Sequence, residues 1–129
     1  MAITHLKPRA VPRATDIDPQ EWQARLDLAA AYRLGASFGW HDLLGTHFSA
    51  RVPGTSDQFL VNPYGLFFEE ITASSLVKID LQGRVIGDNG YSVNPAADVI
   101  HGGIYAQRPE VQAILHLHSV AGVAVAAQQ

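Results

Sequence analysis

The sequence predicts an α/β domain of three layers, with helices on both faces of a central, mainly antiparallel sheet. Helical patterns lie towards both ends of the chain, and the segments between them alternate apolar and polar residues as half-buried strands do. The 129 residues, of which 47% are hydrophobic and 16% charged, have the composition of one globular domain. We assign residues 1–16, which show no apolar periodicity, to an extended arm and residues 17–129 to the domain.

The first helix is predicted to begin after Asp18, a good N-cap residue that is followed by proline at the first helical position. Glu21 completes a capping-box pattern, and Gly39 marks the end of the helix. The apolar residues that recur every four positions are Trp22, Leu26, Ala30, Leu34 and Phe38. We expect this row to form the face that packs on the core.

The strands are predicted to follow this helix as antiparallel hairpins. Residues 45–52 and 57–63 have strand patterns and are joined by the turn sequence PGTSD. Residues 76–88 are predicted to form a strand, a turn at Gln82 and Gly83, and a second strand.

A second helix and a final strand and helix complete the predicted order. The pattern over residues 94–111 is helical, with Asn94 as its cap and Arg108, which precedes a proline, at its end. Residues 111–118 are predicted to form a buried strand, and the alanine-rich residues 120–129 another helix.

Composition and charge exclude several classes of function. The net charge of -3 and the lack of a basic cluster argue against a nucleic-acid partner. No apolar segment approaches the ~20 residues that span a bilayer, and the N-terminus lacks the apolar region of a secretory signal, so we expect a cytoplasmic protein that does not bind membranes. Because the sequence contains no cysteine, a transition metal would have to be held by nitrogen and oxygen ligands.

Two histidines, His116 and His118, stand two residues apart in the last predicted strand. Alternate residues of a strand point to the same side, which places these imidazoles roughly 6–7 Å apart with Leu117 on the opposite side. One zinc ion can bridge two such side chains and keep positions for a third ligand and a substrate oxygen. The alternative is two partly buried histidines that hydrogen-bond to backbone carbonyls.

Three segments of the chain carry a family resemblance: THFSARVPG, FLVNPYGLFFEEITASSLVKIDLQGRVI and IHGGIYAQRPEVQAILHLHS. In the same order, they resemble the class II aldolase/adducin family, and the resemblance covers roughly residues 20–129. The resemblance implies an α/β/α domain that often assembles as a homotetramer and binds zinc at subunit edges. It also implies aldehyde-lyase chemistry on small hydroxy-carbonyl substrates, in which the metal polarises a carbonyl. Two of the family's metal ligands correspond to His116 and His118. The third comes from a later strand, beyond Gln129.

The resemblance also shows departures from the sugar-phosphate aldolases of the family. Their acid/base glutamate lies four residues before the helix histidine, and Ala97 takes that position here. Asp98 is the nearest carboxylate and our candidate catalytic residue, but one residue along a helix turns the side chain by ~100°. The acid/base role has two alternatives to Asp98, namely a water molecule and a group beyond residue 129.

Other family positions have changed as well. The serines that hold the substrate phosphate correspond to Pro95 and Ala96, and a glycine-asparagine contact loop corresponds to Thr46 and His47. We expect phosphate binding by this route to be lost. His47 is predicted to be a strand surface or interface residue, although it could reach the same cavity.

Further candidate residues lie in a loop and in the second helix. Turn signals place Asn62 and Gly65 on a loop that borders the active site in the family, and His101 occupies the family's helix histidine, so these three are our candidate substrate-binding residues. The alternative for His101 is a packed helix histidine bonded to backbone. The pair Glu69-Glu70 is predicted to be solvated.

Two hypotheses of function follow from the sequence. The first is a zinc-dependent lyase acting on a small hydroxy-carbonyl substrate. The second is a non-catalytic, adducin-like assembly module that uses the same surfaces for oligomer contacts. A homo-oligomer is expected under both, with a tetramer implied by the family.

Overall fold

The computed structural model describes residues 12–87 and 89–128 of the chain. Its elements are, in order, α1 (Pro19–Ser37), β1 (His47–Arg51), β2 (Gln58–Val61), β3 (Val77–Asp80), α2 (Pro95–Gln107), β4 (Ala113–His116) and α3 (Val120–Ala126). Residues 1–11 of the predicted arm lie outside the described residues. At the end of that arm, Ala14–Asp16 form a short 3-10 turn instead of extended chain.

The four strands form one antiparallel sheet in the order β3-β2-β1-β4. Strand β1 is therefore central, and it places Ser49 between Val61 of β2 and Ile114 of β4. The same register places His47 directly opposite His116. The predicted α/β domain with a mainly antiparallel sheet is confirmed.

Each face of the sheet is covered by a helix, which produces the three layers. The alternation of β2 divides its residues, because Leu60 faces α1 whereas Phe59 and Val61 face α2. The core on the α1 side consists of Leu28, Tyr32, Phe48, Val52, Leu60, Phe68, Ile71 and Leu76. The core on the α2 side consists of Phe59, Val61, Val77, Ile79, Ala97 and Tyr105.

The helix boundaries agree with the local sequence signals. The Asp18 carboxylate accepts hydrogen bonds from the backbone N–H groups of Gln20 and Glu21, and the Asn94 side chain accepts one from Ala96. Gly39, with φ +66°, follows the C-cap of α1 in the left-handed conformation that glycine adopts at little cost. The predicted caps and ends are confirmed, except that the Glu21 side chain bonds Arg25 and Lys78 and does not complete a capping box with Asp18.

The predicted apolar face of α1 is wrong. Leu26, Leu34 and Phe38 are 43%, 58% and 62% exposed, and the helix instead buries the face that carries Glu21, Arg25, Leu28, Ala29, Tyr32 and Gly35. A row of residues spaced by four does not stay on one face, because each step of four residues turns ~40° further round a helix of 3.6 residues per turn. The buried face also includes an ion pair between Arg25 and Glu21, a pair of residues that sequence patterns assign to solvent.

The predictions for two strands also need correction. The last strand ends at His116 and is an edge strand with Leu115 50% exposed, so it is neither as long nor as buried as predicted. The second strand of the 76–88 hairpin is reduced to a single bridge between Ile79 and Val85. Within the described ranges no helix combines the length and apolarity that crossing a bilayer requires.

Candidate metal centre

His116 and His118 converge at the end of the edge strand β4. His116 is its last residue and His118 lies in the loop that leads to α3, so the two rings are not held by strand alternation as predicted. The rings stand at 83° to one another, and their Nε2 atoms are 3.1 Å apart. Two nitrogen ligands of one tetrahedral zinc ion, each ~2.0–2.1 Å from it, are about 3.3 Å apart. The pair therefore has the separation of two ligands of a single ion.

Asp42 holds His118 from the loop between α1 and β1. Its Oδ2 lies 2.9 Å from Nδ1 of His118. The loop is fixed by its own hydrogen bonds, from the backbone N–H of Asp42 to the Thr46 hydroxyl and from that of Gly45 to the Asp42 carbonyl. Because the carboxylate accepts the Nδ1–H proton, Nε2 of His118 keeps its lone pair for a metal, which is the usual arrangement of histidine ligands.

A cleft of about 220 Å³ opens beside this pair. Its walls are Gly39, Trp40, His41, Asp42, His118 and Ser119. The His118 side chain is 43% exposed, so a small molecule can reach its ring from this side.

His47 lies behind the pair, and the prediction that it occupies the strand surface is wrong. The residue is 1% exposed, and its ring stacks on that of His116 with centroids 4.5 Å apart and 12° between the planes. The cross-strand register of β1 and β4, which sets His47 opposite His116, produces this contact. In agreement with the alternative interpretation, in which His47 reaches the pair, its ring lies against that of His116.

A chain of buried polar groups continues from His47 into the domain. Nδ1 of His47 is 2.7 Å from Nε2 of His101, a fully buried residue of α2. Nδ1 of His101 contacts the hydroxyl of Ser49, which in turn lies 2.9 Å from the hydroxyl of Tyr105. His101 is thus bonded to side chains and not to the backbone.

Burial keeps these imidazoles neutral. Desolvation, with smaller contributions from neighbouring histidines, lowers the pKa of His47 to about 4 and that of His101 to about 3. Desolvation and the nearby His118 also lower the pKa of His116. Neutral imidazole is the form that binds metals, and the lowered pKa of His116 favours that form of this ligand.

The other candidate residues lie in different surroundings. The Asp98 carboxylate packs over Gly83, since a Cβ atom at that glycine would be 2.5 Å from Oδ2. Asn62 is buried, and its Oδ1 accepts a hydrogen bond of 2.8 Å from the Tyr32 hydroxyl. Gly65 sits on an exposed loop with φ +94°. The structure thus brings together His47, His101, His116 and His118, and it gives Asp98, Asn62 and Gly65 other contacts.

Ala97, at the position of the family's glutamate, is fully buried in the core between α2 and the sheet. The prediction that Glu69 and Glu70 are solvated is confirmed, since both are exposed.

The donor set fits part of a metal site. Across residues 12–87 and 89–128, no group of three or more His, Cys, Asp or Glu side chains is arranged to hold an ion. These residues contribute two nitrogen ligands with a carboxylate behind one of them, and a third protein ligand would have to come from elsewhere.

The layered α/β domain and the paired histidines at its sheet edge define a class of protein. The chain matches the description "Class II Aldolase and Adducin N-terminal domain" over residues 26–129, and it belongs to that family.

The relatives of this chain include proteins named as aldolases and proteins named as adducins. A protein of Caulobacter vibrioides that carries the provisional name of aldolase class 2 protein is 55% identical over 113 residues, which are 88% of this chain and 44% of that protein. Alpha-adducin of Rattus norvegicus is 44% identical over 114 residues, covering 87% of this chain and 16% of adducin. The chain therefore spans less than half the length of either relative.

Solved structures show the same fold. An aldolase II superfamily protein from Pseudomonas syringae superposes with a TM-score of 0.83 at 52% identity, over 89% of this chain and 46% of that one. L-fuculose 1-phosphate aldolase from Glaciozyma antarctica PI12 superposes with a TM-score of 0.74 at 37% identity, over 92% and 47% of the two chains.

Proposed function

We propose that this protein binds a divalent metal ion, zinc, through His116 and His118 and acts as an aldehyde lyase on a small hydroxy-carbonyl compound. The observation that carries the proposal is the 3.1 Å separation of the two Nε2 atoms. The carboxylate of Asp42 behind His118 adds support, because such partners orient histidine ligands and raise their basicity. The family, which includes aldolases, supplies the reaction class.

The chain's own residues prepare the ligands. Asp42 fixes the Nδ1–H tautomer of His118, so the contact between the two Nε2 atoms is a hydrogen bond when His116 carries its proton on Nε2. For an ion to bind, His116 would have to change tautomer and carry its proton on Nδ1, while the His47 ring keeps the plane of His116 fixed. When bound, the metal supplies Lewis-acid polarisation of a substrate carbonyl.

Proton transfer to the substrate needs an acid/base group near the metal. Asp98 is our proposed acid/base group within the chain, and to act it must leave its packing over Gly83. Otherwise the role falls to water or to a residue beyond Gln129. Pro95 and Ala96 offer no hydroxyl at the start of α2, so we propose a substrate without a phosphate at that position.

Zinc content tests the proposal. The purified protein should bind zinc when an excess is supplied, as measured by equilibrium dialysis and mass spectrometry of the metal, because two imidazoles hold an ion less tightly than a full set of protein ligands. His118→Ala should lose it. His41→Ala is the matched control, because His41 is a partly exposed histidine of the same cleft whose charged partner is Glu69. Absence of zinc from the unmutated protein, or equal zinc in His118→Ala, would exclude the metal site.

An adducin-like assembly module is the second candidate. One observation favours it: α1 exposes three large apolar side chains, those of Leu26, Leu34 and Phe38, and exposed apolar surface is typical of protein contacts. Leu34→Glu should then lower the molecular mass measured by light scattering, whereas Arg33→Glu, next to it and also exposed, should not. A homo-oligomer without zinc would support this function over the lyase.

A further inference from the structure

The sequence contains three asparagines, Asn62, Asn89 and Asn94. An asparagine loses its side-chain ammonia when the backbone nitrogen of the next residue attacks Cγ and closes a succinimide ring. Asn62 and Asn94 precede proline, whose nitrogen carries no hydrogen to lose in this reaction. Asn89 precedes Gly90, and a residue without a Cβ atom lets the attacking nitrogen approach most freely. The sequence therefore favours deamidation at Asn89 over the other two positions.

The fold buries the Asn89 side chain, which is 6% exposed, and binds both ends of its amide. Nδ2 donates to the backbone carbonyls of Ser75 and Leu76, at 3.3 and 3.1 Å. Oδ1 accepts a hydrogen bond of 3.3 Å from the backbone N–H of Tyr91. The amide thus ties residues 89–91 to the segment that leads into β3.

These contacts oppose the closure of the ring. Closure requires Cγ of Asn89 to turn towards the nitrogen of Gly90, and it requires that nitrogen to lose its proton to water or a base. The side chain cannot turn while Nδ2 donates to two carbonyls, and burial excludes the water. The reaction can therefore proceed only in molecules in which this segment has opened, and their population depends on the free energy of local unfolding.

The product cannot restore the contacts of the amide. Ring closure releases ammonia, and water then opens the ring to give aspartate or isoaspartate, so the reaction consumes one water and needs no oxidant. Either carboxylate lacks the N–H groups that bind the carbonyls of Ser75 and Leu76. Arg25 lines the same small cavity as Asn89, but its guanidinium already donates to Glu21 and to two backbone carbonyls.

We propose that Asn89 is a deamidation site that the fold protects, and that its conversion in locally unfolded molecules makes the release of residues 89–93 irreversible. The release affects two neighbouring elements. The Ser92 carbonyl accepts a hydrogen bond of 2.8 Å from the backbone N–H of Tyr64, and residue 93 leads to Asn94, the N-cap of α2. The inference does not depend on the metal site.

Deamidation rates test the protection directly. The purified protein is incubated at neutral pH with and without guanidinium chloride, and mass spectrometry of its peptides follows the loss of ammonia at Asn89. We expect the unfolded chain to react at least about 100-fold faster, because every unfolded molecule has the open segment. The peptides with Asn62 and Asn94 are internal controls and should not change. A smaller ratio, or no reaction at Asn89 in the denaturant, would overturn the proposal.

Asn89→Asp imitates the product. It should raise the equilibrium constant of unfolding about 10- to 100-fold, because two buried carbonyls lose their donor. Gln112→Glu is the matched control, since Gln112 is exposed and its amide also donates to a backbone carbonyl, that of Glu110. Equal stability of the two variants would show that the Asn89 amide does not hold the segment, and would refute the irreversible release.

Hydrogen exchange locates the effect of Asn89→Asp. Exchange of the Tyr64 N–H group, which bonds to Ser92, should rise by a larger factor than exchange of the Phe48 N–H group, which bonds to the buried Tyr32 hydroxyl. Equal factors would show that the whole domain is destabilised and would refute a local release. If Asn89→Asp does not fold, the deamidation rates, which need no variant, still decide.

Discussion

Asp42 and His118 are 76 residues apart in the sequence, and their side chains meet at 2.9 Å beside the cleft. The contact joins the loop after α1 to the loop after β4. It gives the solvent-exposed ring of His118 a fixed orientation in a position where an unpaired histidine would rotate freely.

Asp42→Asn should weaken zinc binding about 10- to 100-fold, because the amide neither fixes the tautomer of His118 nor raises its basicity. The measurement is a competition titration with a chromogenic chelator. Asp27→Asn is the control, since Asp27 is an exposed residue of α1 that accepts a hydrogen bond from Gln23. Equal affinity in both variants would show that Asp42 does not support a metal ligand.

Gly102→Ala should destabilise the protein by about 1–3 kcal/mol, the usual cost of overpacking. A Cβ atom at Gly102 would lie 2.9 Å from the carbonyl oxygen of Leu81, and backbone cannot move aside as a side chain can. The same change at Gly103, where a Cβ atom meets nothing within 4 Å, should stabilise α2 by about 0.5–1 kcal/mol. Urea unfolding measures both, and equal effects would contradict the close contact of α2 with Leu81.

The parts of the fold that were predicted from sequence are those set by neighbours in the chain. Asp18 and Asn94 cap helices through the next two or three residues, and Gly39 ends α1 through its own backbone preference. Such features depend on no distant contact, so local patterns suffice to find them. Strand β2 was equally visible, because burial on both sides of a central strand gives the unbroken apolar run of Phe59, Leu60 and Val61.

The site could be predicted only where its residues adjoin in sequence. The spacing of His116 and His118 indicated a pair, although the pair forms partly in a loop. Asp42 reaches the pair through its long-range contact with His118, and His47 reaches it through the register of β1 with β4. No local sequence signal distinguishes these two residues from other polar residues. Covariation among homologues is the kind of signal that could have linked 42 to 118.

The buried face of α1 leads to a further expectation. Glu21 binds Arg25 at 2.8 Å and Lys78 at 2.8 Å, and Arg25 also donates to the carbonyls of Ala73 and Leu76. Glu21→Gln leaves the buried guanidinium without its counter-charge, so the free energy of unfolding should fall by about 3–5 kcal/mol.

Glu110→Gln is the matched control for this change, because Glu110 pairs with Arg108 on the exposed surface. Exposed ion pairs contribute little to stability, so this variant should unfold at nearly the wild-type urea concentration. If the free energy of unfolding fell by a similar amount in the two variants, burial would not make the Glu21 ion pair more important for stability than the exposed pair.

Stability should depend on pH through His101. Burial lowers its pKa from 6.5 to about 3, with His47 as the nearest titratable neighbour and Tyr105 reached through Ser49. Below pH 6.5 the unfolded chain binds a proton that the folded chain excludes. The contribution is therefore complete above pH 6.5 and is lost as the pH falls towards 3, at up to about 1.4 kcal/mol per pH unit. Urea unfolding in chelator between pH 7 and pH 4 should show this slope.

His101→Gln should reduce the slope of the unfolding free energy against pH by the contribution of one histidine. The control is His41→Gln, a change at an exposed position that should keep the wild-type slope. Identical slopes in His101→Gln and the wild type would mean that this imidazole is not kept neutral by the fold.

Ala97 and Ala96 provide a last test, which bears on why the family's acid/base carboxylate is missing. Both residues lie in the first turn of α2, where the N-cap and the helix dipole favour a negative charge. They differ in surroundings, since Ala97 is fully buried beside Phe59 and Val61 whereas Ala96 is exposed. The difference between Ala97→Glu and Ala96→Glu in urea unfolding therefore isolates the cost of placing a carboxylate in this core. We expect Ala97→Glu to be less stable by about 2 kcal/mol or more, and to regain stability as the pH is lowered and the carboxylate is protonated. Equal stability would mean that the core opens to admit the group, and the position would then be available for acid/base chemistry. The expected loss instead indicates that the apolar neighbours of Ala97 close this position to a charge, so that any proton transfer in this protein must come from another group.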